Sequence, residues 1–165
     1  MTIIRILAIS TPFAYLIHCL EEFGIPGGFI SWYHAYRPAL NKQTPFYYLM
    51  VNIIAFIIVS ISALTSLFSS DYTAIVVASS FLASNAIFTH IVGTFKTHTY
   101  SPGIVTGIIL YIPICLTLYI MTYTQNLLPL HTLIIILFIS MLYELWNFYK
   151  YMKKTKSSQI NNRLV

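Results

Sequence analysis

His18-Cys19-Leu20-Glu21-Glu22 places an imidazole three and four residues ahead of two carboxylates. On a helix, positions i, i+3 and i+4 share one face. The chain has only four acidic residues, so half of them sit in this string. An imidazole beside a carboxylate pair can hold a divalent ion and activate water. The string ends an apolar run, where a polar cluster is costly unless it has a task.

The elements that must position this cluster are built for lipid. The chain has 165 residues, 58% hydrophobic and only 8% charged, with a mean hydropathy of +0.76. Soluble domains carry about 25% charged residues. Apolar stretches over 3–22, 46–68, 73–95, 103–123 and 129–149 each approach the ~20 residues a bilayer core needs. The expected fold is an all-α polytopic bundle of five transmembrane helices, a single domain over 1–149. A basic tail over 150–165 follows. The first stretch resembles a signal peptide in having Arg5 ahead of an apolar run. It lacks a small-residue cleavage site and ends in His18 and two glutamates, so it reads as a retained helix.

Five spans put the 23–45 loop, the 96–102 loop and the tail on one side. That side holds Arg37, Lys42, Lys96, Lys150, Lys153, Lys154, Lys156 and Arg163. The positive-inside rule makes it the cytoplasmic side of a cell (inner) membrane. Four spans with a cytoplasmic N-terminus is the alternative. The net charge of +5 thus marks a tail that attracts anionic lipid rather than a nucleic-acid surface. Membrane lipids are the expected partners, and a homo-oligomer stays open. Cys19 and Cys115 give no metal knuckle or disulfide framework and read as packing residues.

The same side gathers the other polar residues. His90 and Glu144 each lie about five residues from a segment end, roughly 8 Å deep at ~1.5 Å per residue. Ser79, Ala83, Ala86, His90 and Gly93 make one face of small residues, so His90 points into the bundle. Asn85 stands five residues before His90. The two cannot face one ion unless the helix bulges, which makes Asn85, like Glu144, an outer group. Lys96 through Gly103 reads as a turn that could fold His98 back as a ligand. Gly103 and Gly107 predict tight packing of segment 4 on a neighbour. Phe29, Trp32, Tyr33, Tyr36 and Leu40 predict one apolar face of an interfacial amphipathic helix. Ser31, His34, Arg37 and Asn41 take its polar side.

These residues resemble the HXXEE family of integral-membrane proteins. The match runs from His18-Cys19-Leu20-Glu21-Glu22 through Asn85 and His90 to Tyr100-Ser101-Pro102-Gly103, within about residues 10–120. The resemblance implies that His18, Glu21, Glu22, Asn85, His90, Tyr100, Pro102 and Gly103 matter. It implies no reaction, since the family has none assigned.

The leading expectation is a metal-dependent membrane hydrolase acting on a lipid or other membrane-associated substrate. His18, Glu22, His90 and His98 would ligate a divalent metal, zinc first; Glu21 would be the general base and Tyr100 an oxyanion donor. A glutamate-type intramembrane protease fits poorly, because Ile25 stands where its Glu-Glu-x-x-x-Arg pattern has arginine. A two-iron redox enzyme of the histidine-box type would use more than five histidines. A proton-coupled carrier or a non-enzymatic accessory protein are the remaining classes.

Overall fold

A computed structural model describes residues 2–69 and 71–161, and it is all-helical. Helix α1 spans Ile3–Phe23 and α2 spans Phe29–Tyr36, followed by a short 3-10 turn at Pro38–Leu40. Helix α3 covers Pro45–Phe68, α4 Thr73–Thr97, α5 Ile104–Thr124 and α6 Leu130–Asn161. Five of the six are long and apolar enough to cross a membrane. Their outer surfaces carry exposed large apolar side chains, among them Phe13, Leu20, Ile57, Ile109 and Phe138. That pattern suits a lipid solvent, in which helices satisfy their own backbone.

Helix α4 is the central element. Of its apolar window 56% is buried, against 22–33% for the other four spans. It packs on α3, α5 and α6, and α1 lies along α3. Small side chains make this position available: Ser79, Ser80, Ala83, Ser84 and Ala86 are all buried. Without a hydrophobic drive between helices in lipid, close approach and interhelical hydrogen bonds hold such a bundle. Ser80 bonds the Tyr119 hydroxyl at 2.8 Å, and Ser84 donates to Ser140 at 3.1 Å. Gly107 of α5 lies so close to α4 that an added Cβ would meet the Ala86 Cβ at 2.9 Å. The tight packing expected of this glycine is present.

Both helices depart from α geometry where they meet near the site. Ala86–Ile91 of α4 and Gly107–Tyr111 of α5 are π-helical. Such a bulge would let Asn85 and His90 share a side, because an i→i+5 turn brings positions five apart together; the Asn85 amide instead donates to the Thr89 hydroxyl at 3.2 Å.

Helix α2 stops four residues short of Leu40, since a helix does not run into the residue before Pro38. Its aromatic face packs onto the bundle end, where Phe29, Trp32 and Tyr48 form a buried cluster. Arg37, expected on the polar side, is instead buried, because the chain turns inward after Tyr36. Of the expected tail over 150–165, the backbone is helical through Asn161. Arg163 lies outside the described residues.

Gly107→Ala should destabilise the bundle by about 1–3 kcal/mol through overpacking against Ala86. Thermal melts in detergent or nanodiscs measure this, and an unchanged midpoint would show that the α4–α5 contact can relax.

Candidate metal centre

α1 delivers two carboxylates to one end of the bundle, and the structure gives them separate tasks. Glu22 faces the two histidines. Its Oε1 lies 3.4 Å from Nε2 of His18 and 3.4 Å from Nε2 of His90. The ligand atoms of His18, Glu22 and His90 all fall within 4.8 Å of one another, and all three residues are buried. The two imidazoles stand edge to face with centroids 4.9 Å apart. No hydrogen-bond partner reaches His90 Nε2. Tetrahedral zinc with bonds of ~2.0–2.1 Å sets its ligand atoms roughly 3.3–3.4 Å apart. The two Glu22–histidine separations match that edge.

The outer nitrogens are held as metal-ligating histidines require. His18 Nδ1 is 2.7 Å from Thr106 Oγ1, whose hydroxyl donates to Glu21 Oε2 at 2.5 Å. With that proton committed, the Thr106 oxygen accepts from His18 Nδ1–H, leaving a lone pair on Nε2 toward Glu22. His90 Nδ1 is 3.0 Å from Ser101 Oγ. Gly103 makes room for both rings. A Cβ there would sit 2.6 Å from His90 Cε1 and 2.8 Å from His18 Cε1, and its φ of +98° suits only glycine.

Glu21 does not face this group. Its oxygens accept from the Tyr100 hydroxyl at 2.5 Å and the Val105 N–H at 3.1 Å, and from the Thr106 N–H and hydroxyl at 2.8 and 2.5 Å. Four donors use the four lone-pair sites that a carboxylate offers. Glu21, expected as general base, and Tyr100, expected as oxyanion donor, are thus bonded to each other and face the start of α5 rather than the group of three. Glu21 caps the first turn of α5, and the Tyr100 hydroxyl donates to the capping carboxylate. His98, expected as a ligand, is exposed and stands outside the group of three. It ends α4 in a left-handed conformation, φ 52°, and the chain folds back after it.

A cavity of about 360 Å³ opens beside the group, lined by His18, Glu22, Tyr111, Asn85, Glu144 and Arg37 among others. Asn85 and Glu144 thus sit on the cavity rather than on the ligand cluster. Tyr111 lies against His18 with centroids 4.5 Å apart and the rings tilted by 36°, and its buried hydroxyl has no hydrogen-bond partner among the described residues. Arg37 donates to the Tyr33 hydroxyl at 2.8 Å and lies over the Tyr33 and Tyr36 rings. Phe29 and Trp32 of α2 cover His90, with ring centroids 5.9 and 6.3 Å away. His34, on the same helix, bonds the Tyr48 hydroxyl at 3.1 Å.

Thr106, Ser101 and Tyr111 were not singled out by spacing, and spacing put Arg37 on the polar side of α2 rather than at the site. Ser101 lay in plain view inside the Tyr-x-Pro-Gly string. Tyr111 carried a weaker signal, being an aromatic hydroxyl within an apolar run.

The model of a family described as a protein of unknown function with HXXEE motif matches residues 9–118. The chain belongs to this family. No curated protein and no solved structure matches it significantly. The matched region contains His18, Glu22, His90 and every group bonded to their outer nitrogens, while Glu144 lies beyond it.

Tyr100 lies between α4 and α5, and partial burial with the Glu21 carboxylate pushes its phenol from 10 up to about 12. A pKa raised on folding stabilises fully below the unfolded value and ceases to as pH passes the folded one. Stability should therefore fall between pH 10 and about 12. Tyr100→Phe should flatten that alkaline limb while costing about 1 kcal/mol at neutral pH. Thermal melts of both proteins across the window would show it, and parallel curves would refute it.

Proposed function

We propose that this protein is a metal-dependent membrane hydrolase whose ion is held by His18, Glu22 and His90. One observation carries the reading: two buried imidazole nitrogens converge on a single carboxylate oxygen at 3.4 Å each. A bland interhelical hydrogen bond would leave one nitrogen satisfied at shorter range, yet His90 Nε2 has no such partner. Two imidazoles and a carboxylate suit zinc, and three protein ligands are the usual complement of a catalytic zinc site. Such an ion polarises a carbonyl or phosphoryl oxygen and makes water acidic enough to attack near neutral pH.

The cavity supplies the remaining groups. Glu144 is the other carboxylate lining it and is the candidate to take a proton, with Asn85 beside it. Tyr111 offers its hydroxyl as donor to a developing oxyanion. Glu21 holds His18 through Thr106 and acts as a positioning residue. By the basic residues gathered at this end, including Arg37, Lys96 and Lys150, the site faces the cytoplasm.

A carrier reading finds support in Glu22 and Glu144 lining one cavity, as proton sites do. Metal analysis separates the two. The hydrolase reading expects about one equivalent of zinc per chain after purification without chelator. Glu22→Ala and His90→Ala should abolish it, and Thr106→Val should weaken metal affinity ~10–100-fold. Metal-free wild type that catalyses proton-coupled uptake in proteoliposomes would decide for the carrier.

A further inference from the structure

The polar cavity beside His18 and Glu22 has a roof, a back wall and an open side. Tyr33, Arg37 and Leu40 line it at the end of the bundle. The Pro38–Leu40 turn packs on α6, and α2 packs on α1 and on the last turns of α4. Leu82, Asn85 and Thr89 of α4 form the back. The long contact between α1 and α3 closes one flank. α3 and α6 each pack on α4, and they make no comparable contact with each other among the described residues.

Exposure locates the opening. Tyr47 and Val51 of α3 and Tyr143 of α6 are the exposed lining residues, at 46, 45 and 52%. The other residues that line the cavity are buried or half-buried. The mouth therefore lies between α3 and α6. Val51 continues the outward stripe of Ile54 and Ile58, and Tyr143 that of Ile139, all of them exposed. At ~1.5 Å per residue, Val51 lies about 9 Å along α3 from Pro45, and Tyr143 about 10 Å along α6 from Lys150. One leaflet contributes half of a ~30 Å hydrocarbon core, about 15 Å. The mouth thus faces the leaflet at the site end, below the α2 roof.

The interior behind this mouth is not suited to hydrocarbon. Glu22 and Glu144 are buried there, and the buried Tyr111 hydroxyl has no hydrogen-bond partner among the described residues. An acyl chain offers such groups no bond, whereas a polar head does. The cavity of about 360 Å³ stands at the small end of the ~300–1,000 Å³ range of ligand sites. It has room for a head group and the atoms next to it, not for a whole lipid chain.

We propose that the substrate is an amphiphile that enters sideways between α3 and α6, its polar head in the cavity and its chain left outside among the lipids. This rests on the hydrolase reading and gives that reading its substrate class and route. His18, Glu22 and Tyr111 line the space that the head fills. A soluble substrate would instead need a passage through the roof, where Phe29, Trp32 and Arg37 are buried.

The test uses full-length protein in nanodiscs and two long-chain fatty acids, one with a diazirine beside the carboxyl group and one with it at the chain end. After irradiation, peptide mapping should place the head-proximal label on residues 81–89, at the back of the cavity. The chain-end label should fall on the lipid-facing stretch 134–142 of α6 and spare 81–89. A short-chain homologue with the same head-proximal diazirine should leave 81–89 unlabelled. Val51→Trp narrows the mouth and displaces about two methylenes from it, so head-proximal labelling of 81–89 should fall about ten-fold with bound zinc unchanged. Val51→Phe gives the same readout should the tryptophan variant fold poorly. Equal labelling of 81–89 by both long-chain probes would overturn the proposal, because the whole chain would then enter. So would equal labelling by the short homologue, which would mean entry from water, or labelling indifferent to both variants. The expected pattern in a protein that binds no metal would sink the hydrolase reading and leave the lateral route standing. A zinc-loaded protein with 81–89 unlabelled, as when a second copy of the chain seals the gap, would sink the route alone.

Discussion

The Glu21 carboxylate holds the start of α5 to the end of α1, and the site depends on that tie. Two backbone N–H groups and two hydroxyls from 100–106 converge on it. The first turn of a helix has N–H groups without intrahelical partners, and an acid there also complements the helix dipole. The acid comes from another helix rather than from α5 itself, so it docks two elements as it caps one. Thr106 then passes the constraint to His18, and the same loop brings Ser101 to His90. One carboxylate therefore orients both imidazoles without touching either.

Adjacent glutamates thus divide the work by their angle on the helix. Consecutive residues point about 100° apart, so Glu21 meets the loop while Glu22 meets the histidines. A buried pair of acids in a membrane protein would be costly if both lacked partners. Here one is saturated by neutral donors and the other stands against two imidazoles. Phe29 and Trp32 cover His90, and the burial of all three residues strengthens each electrostatic contact among them.

Much of this was legible in the sequence. Hydropathy placed the ends of the first four spans within about two residues of the observed helices, and the start of the fifth within one, because an apolar run of that length has few alternatives; α6 runs on past the apolar span to Asn161. The small-residue face of α4 correctly turned His90 inward, and the alternation of five spans put it on the same side as the end of α1. The roles of the two glutamates were less legible. Spacing shows that Glu21 and Glu22 lie near His18, but the choice between them depends on the path of residues 98–106. That path turns on the left-handed residues His98 and Gly103. Hydroxyls such as Ser101 and Thr106 are too common for their type to single them out. Arg37 was misread because Pro38 ends α2 and redirects the chain just beyond it.

The two π-helical stretches each hold one residue more per turn than their helices elsewhere, and they face each other across the α4–α5 contact. An extra residue shifts everything downstream around the helix axis by about 100°. In α4 the downstream part carries Gly93, against which the Trp32 ring rests. The ligand His90 therefore sits within one register shift and the contact with the cover just beyond it. The spacing between them is a matter of counting residues, so loss of a single residue from Ala86–Ile91 would uncouple the cover from what it covers.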